Sequence, residues 1–102
     1  MPDLITIYWR DIPAQVMAKK GRQRARYKLT ERFQVAIDRA AMRAKKIDAD
    51  AYLDDWRRES VRREGEMQTL VEARAQWLES EYDDVRLETM IKNKGHAPPK
   101  GG

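Results

Sequence analysis

Leu4-Ile5-Thr6-Ile7-Tyr8-Trp9, followed at once by Arg10-Asp11-Ile12-Pro13, is the stretch on which the fold of this chain turns. The six residues are β-branched and aromatic apart from Leu4, and a helix there would be short and poorly capped, so they predict a strand. The Asp11-Ile12-Pro13 step predicts a turn. An aspartate side chain bonds the backbone that follows it, and proline fixes its own φ. Gln15 to Lys19 then returns as a second strand, which makes a hairpin, and Gly21 breaks the run.

From Arg22 to Leu29 the residues alternate strictly, with Arg24, Arg26 and Lys28 on one side and Ala25, Tyr27 and Leu29 on the other. Such a period of two suits either a half-buried edge strand or an extended arm lying on the body, and a basic edge resists edge-to-edge aggregation. Thr30 occupies the position of a helix N-cap, and Phe33, Ile37, Ala40, Ala41 and Ala44 recur at helical spacing through Lys46. Asp48 or Asp50 would cap a shorter helix carrying Tyr52, Leu53 and Trp56. The charged stretch from Arg57 to Glu66, almost without apolar residues, reads as a solvated bend or an extension of charged helix. Met67 to Tyr82 predicts a third helix, with Arg74 breaking its apolar stripe where a long side chain can snorkel. Asp83 or Asp84 starts a last one, stopped by Asn93-Lys94-Gly95. The expectation is one α+β domain over residues 1–95, a hairpin with the basic segment beside it packed on three to four helices, and a disordered tail over 96–102.

The chemistry is defined mostly by what is missing. In 102 residues there is no cysteine and one histidine, His96 in the tail. A disulfide framework, thiol chemistry and histidine-based metal sites are therefore excluded. Asp48-Ala49-Asp50 lacks the glycine and distal glutamate of a calcium loop. Gly21 stands alone, so no glycine-rich loop cradles a phosphate, and Ser60 and Ser80 have no histidine beside them to act as base. No catalytic residue, cofactor or metal is expected. The opening Met1-Pro2-Asp3-Leu4 carries no basic leader or long apolar run, which points to the cytoplasm and away from a membrane. Nothing in the residues fixes an oligomeric state.

Charge is near balance, with 21 lysines and arginines against 17 acidic residues, but it is unevenly spread. Residues 19–32 hold seven cations and the single acid Glu31, while Glu79, Glu81, Asp83 and Asp84 form an acidic group elsewhere. Tyr27 between Arg26 and Lys28 has the composition of an RNA or DNA contact, cations for phosphate and a ring for stacking. The competing reading turns Tyr27 and Leu29 inward and leaves the cations to water or to the acidic helices. Three tryptophans in a chain of this length suit a protein interface. Trp9 and Trp56, beside charged neighbours, are the two expected to be partly exposed.

The residues Ile7-Tyr8-Trp9-Arg10-Asp11-Ile12-Pro13-Ala14-Gln15-Val16, Lys20-Gly21-Arg22, Phe33, Ile37-Asp38-Arg39-Ala40-Ala41-Met42 and Tyr52-Leu53-Asp54-Asp55-Trp56-Arg57 resemble the bacterial "virulence factor" domain family. The resemblance runs from Leu4 to Arg58 and returns at Glu81-Tyr82-Asp83. That family is named for conserved virulence factor C, where a similar module sits in a larger protein with repeat and scaffold-like domains. Freestanding members of this length resemble companions of genes for folate- and corrinoid-dependent one-carbon transfer. The family brings no reaction and no catalytic residues with it. It agrees with the absence of a catalytic set in the residues, from which an accessory or adaptor protein binding a protein partner is expected, and the resemblance points to one-carbon metabolism or virulence regulation as its setting. The contact surface would be Trp9, Arg10 and Asp11 with the neighbouring cations Lys20, Arg22, Arg24, Arg26 and Lys28. A nucleic-acid module using the same basic segment is the alternative.

Overall fold

The computed structural model describes residues 1–45 and 49–97. Strand β1 (Asp3–Trp9) forms the hairpin with β2 (Ile12–Lys20), and β3 (Gln23–Lys28) continues the meander. Helices α1 (Glu31–Arg43) and α2 (Ala49–Leu53) follow, then β4 (Trp56–Arg62), α3 (Met67–Glu81) and α4 (Asp84–Lys92). The four strands make one antiparallel sheet in the order β3-β2-β1-β4, so the fold is α+β as expected and the basic segment is an edge strand, not a loose arm.

The hairpin turns one step earlier than its sequence indicates. Trp9 lies opposite Ile12, which leaves Arg10 and Asp11 as the loop and puts Ile12 and Pro13 inside β2. Arg10 takes a φ of 54°, the left-handed conformation that two-residue hairpin loops require and that glycine or asparagine normally supplies. Proline is tolerated in β2 because the register shifts there. Ile7 faces Gln15 and Tyr8 faces Pro13, so Ala14 is an extra, bulged residue beside an imino acid with no N–H to contribute.

The largest departure is β4. Arg57 to Arg62, expected as a bend or a charged helix, pairs along the whole of β1, and Trp56 begins this strand instead of riding on α2. Every β4 residue after Trp56 is exposed, so no buried alternation marks the strand. Its warrant is the ladder: without β4 the second edge of β1 would leave its N–H and C=O groups unpaired.

Helix α3 covers one sheet face. Its Arg74, the residue that breaks the apolar stripe, is half-buried and donates to Thr6 Oγ1 and to the Tyr8 hydroxyl, both at 3.2 Å. Val71, Ala75 and Leu78 of α3 join Leu4, Val16 and Ala18 of the sheet in a core completed by Phe33 and Ile37 of α1 and by Leu87 and Met90 of α4. Thr30 holds the N-cap position of α1, but its side chain makes no cap. Its hydroxyl donates to Glu79 Oε1 at 2.9 Å and its N–H to Oε2 at 2.8 Å, so a carboxylate from α3 does the capping. Asp83 caps α4 as expected, accepting from the Arg86 N–H at 2.8 Å. The expected end of α1 at Lys46, the Asp48 cap and the tail from residue 98 lie outside the described residues.

Candidate interaction surface

The hairpin tip is spent on the fold. Trp9, expected to be partly exposed, is 0% accessible. Its indole N–H donates to the Tyr52 carbonyl at 2.8 Å, and its ring stacks on Tyr52 with centroids 5.8 Å apart. A Cβ on Gly95 would come within 2.8 Å of the Trp9 ring, and Gly95 also has a φ of +92°, so the turn after α4 needs glycine on both counts. Arg10 donates to the Lys94 carbonyl at 2.7 Å, lies 3.3 Å from Asp55 Oδ2, and covers the Trp9 ring at 5.0 Å. Asp11 accepts from Arg57 at 3.0 Å and from the Ala97 N–H at 2.7 Å. The tip thus ties α2, the start of β4 and the segment after α4 to one point.

The other predicted residues sit elsewhere. Directly opposed residues of an antiparallel sheet share a face. On the face away from Arg74, the register gives three rows across the sheet: Arg62-Asp3-Lys19-Arg24, Ser60-Ile5-Met17-Arg26 and Arg58-Ile7-Gln15-Lys28. The cations Lys19, Arg24, Arg26, Lys28, Arg58 and Arg62 are all exposed, and the one acid among them, Asp3, is 3.7 Å from Arg62. Ile5 and Met17 are buried yet stand apart from the helix-packed core. They are flanked by arginine and lysine stems, which cover apolar surface while keeping their charge in water. Lys20 and Arg22 flank the Gly21 turn at the end of this face, where Gly21 has a φ of 57°.

The acidic groups do not fold back onto β3. Glu79 takes Thr30 and Arg32, Asp84 meets Arg32 at 3.5 Å, and Glu88 grips Arg39 through two bonds at 2.9 and 3.0 Å. Arg32 also donates to the Tyr82 carbonyl. Burial alone would push the Glu79 carboxyl up, but the Thr30 N–H and hydroxyl and the Arg32 guanidinium outweigh it and hold the carboxyl below the ordinary glutamate range. Among the described residues, no acidic side chain pairs with Lys20, Arg22, Arg24, Arg26, Lys28 or Arg58.

Tyr27 lies opposite Val16 and therefore on the α3 side of the sheet, 40% exposed, with its ring on the other face from Arg24, Arg26 and Lys28. Sequence reasoning missed Arg58 and Arg62, which join this face only through β4. The signal was there in principle, since Arg58, Ser60 and Arg62 alternate with Arg57, Glu59 and Val61, but a period of two among charged residues identifies no buried face. It also missed Trp77, which is 49% exposed with the Arg74 guanidinium 4.6 Å from its ring centroid. Among the described residues no three His, Cys, Asp or Glu side chains gather as a metal-holding group, and no helix is long and apolar enough to cross a membrane.

No curated protein and no solved structure gives a significant match to the chain. One family model, described as Virulence factor, matches residues 7–91, well beyond the Leu4 to Arg58 stretch that carries the resemblance and through β4, α3 and nearly all of α4. With the match spanning the hairpin, the cationic face and the helices behind it, this chain belongs to the virulence factor family.

Proposed function

We propose that this chain is a non-catalytic accessory module that docks an acidic surface of a protein partner on its open, cationic sheet face. The observation that carries this reading is the row of exposed cations along β3 with Arg58 across the sheet, which have no acidic partner among the described residues, while Glu79 and Glu88 engage other arginines. Clustered charge of one sign raises the encounter rate with an oppositely charged surface and fixes its register. The contact surface is then Arg24, Arg26, Lys28 and Arg58, with Lys20 and Arg22 at its rim. Trp9 is internal and Arg10 and Asp11 support it from behind. A subunit of folate- or corrinoid-dependent one-carbon transfer is the candidate partner that the family resemblance suggests.

An RNA or DNA partner on the same cations is the second reading, favoured by their density. The side taken by Tyr27 argues against it, because stacking needs a ring on the cationic face. The test is co-purification with the tagged full chain and with its R24E/R26E/K28E variant. A protein recovered in stoichiometric amount by the first and lost by the second is the expected result. Equal recovery by both, or bait alone with both, would overturn the proposal. Nucleic acid in place of protein, with affinity falling by roughly 0.7–0.9 log units per contacted phosphate for each log unit of salt, would establish the second reading.

A further inference from the structure

The cationic face carries an apolar recess. At its α2 end a groove of about 480 Å³ is lined by Ile7, Gln15, Leu53, Trp56, Arg57 and Arg58. A second hollow, of about 370 Å³, continues it toward β3, sharing Gln15 and Trp56 and reaching Arg26 and Lys28. Leu53 is 61% exposed, large for a leucine beside an aromatic cluster. Trp56 is held edge-on by Tyr52, with ring centroids 5.8 Å apart, and its indole N–H has no acceptor among the described residues. Arg57 is engaged by Arg10, Asp11 and Glu59, whereas Arg58, also in the groove, has no acidic partner among the described residues.

We infer that this groove receives one apolar side chain of an extended acidic partner segment, with carboxylates on either side meeting Arg58 and the Arg26–Lys28 pair. The inference rests on the docking function proposed above and names the partner's chemistry. Arg58 and Lys28 stand in one row on the outer strands, three strand spacings or about 14 Å apart. An extended chain advances about 3.3–3.4 Å per residue, so two carboxylates four residues apart span that row, and the residue midway sits over Ile7 and Gln15. Side chains at even spacing point the same way, so both acids and the apolar residue face the sheet together. A nucleic acid gains little here, since Tyr27 lies behind the sheet and cannot stack on this face.

The test uses the full chain and two labelled peptides with cores Glu-Ser-Leu-Ser-Glu and Glu-Ser-Ser-Ser-Glu, followed by fluorescence anisotropy at low and physiological salt. The leucine peptide binds about tenfold more tightly than the serine peptide, a factor set by burying one leucine side chain in part. The difference disappears in Leu53→Ser, whose exposed site leaves folding intact, while Arg58→Ser weakens both peptides. Binding of the leucine peptide also shifts the Trp56 indole resonance. Equal binding of both peptides, unaffected by Leu53→Ser but lost in R24E/R26E/K28E, would overturn the groove and leave the docking face standing. No binding of either peptide at low salt, or displacement of both by oligothymidylate of higher affinity, would overturn the groove and the acidic-protein reading together.

Discussion

The hairpin tip and strand β3 were both marked out by charge and aromatic content, and the fold uses them in opposite ways. At the tip, Trp9, Arg10 and Asp11 spend their side chains on the fold, bonding Tyr52, Asp55, Arg57, Lys94 and Ala97. Along β3, Arg24, Arg26 and Lys28 meet no protein acceptor among the described residues. Residues that the fold has consumed cannot also recognise a partner without undoing it. Cations left unpaired contribute little to stability and are available for recognition.

Stability measurements can break or sharpen this contrast, and the tip should dominate them. Trp9→Ala is expected to cost about 3–5 kcal/mol in urea unfolding, since it empties a fully buried aromatic site. A loss under about 1 kcal/mol would show the tip to be dispensable and erase the contrast. Next comes Gly95→Ala, which forces a side chain into a positive φ and against the Trp9 ring. About 2 kcal/mol or more is expected there, checked by the same unfolding curves.

Glu79→Gln should cost about 1–2 kcal/mol at neutral pH through weakened bonds to Thr30 and Arg32. Because the folded-state carboxyl is held below its ordinary range, its stabilisation is complete above the unfolded pKa of about 4.3 and is lost as pH falls through the lower folded value. The gap between the unfolding free energies of the natural chain and Glu79→Gln should therefore close in acid, and a gap constant from pH 7 to pH 3 would rule out the carboxylate as its source. The smallest effect is expected on β3, where each of R24E, R26E and K28E should change stability by no more than about 0.5 kcal/mol. A larger loss would mean that these cations serve the fold after all.

What could be read from the residues follows from how local each signal is. β1, β2, α1, α3 and α4 were legible because their apolar periodicity and caps lie within a few positions of one another. β4 was not, because its exposed residues carry no pattern of their own and only pairing with β1 makes them a strand. The loop position of Arg10 was hidden for a related reason. Its left-handed backbone is tolerated by contacts with Asp55 and Lys94, which are distant in sequence.

The candidate site divides in the same way. Alternation alone put Arg24, Arg26 and Lys28 on one side of an extended segment; pairing with β2 made that segment a strand. Whether that side meets helices or water, whether Tyr27 shares it, and which distant residues complete it are properties of register and packing, and they brought in Arg58 and Arg62 while withdrawing Trp9.

By itself, the sequence determined an α+β domain of the virulence factor family with no thiol, no histidine cluster and a basic segment of alternating faces, because composition and short-range periodicity are written residue by residue. Only the tertiary structure decided which charged residues are neutralised inside the fold and which remain on an open face. That sorting depends on partners 40 to 90 positions apart, as in Trp9 with Tyr52 or Ala97 with Asp11 at separations of 43 and 86, and no local pattern encodes such pairings.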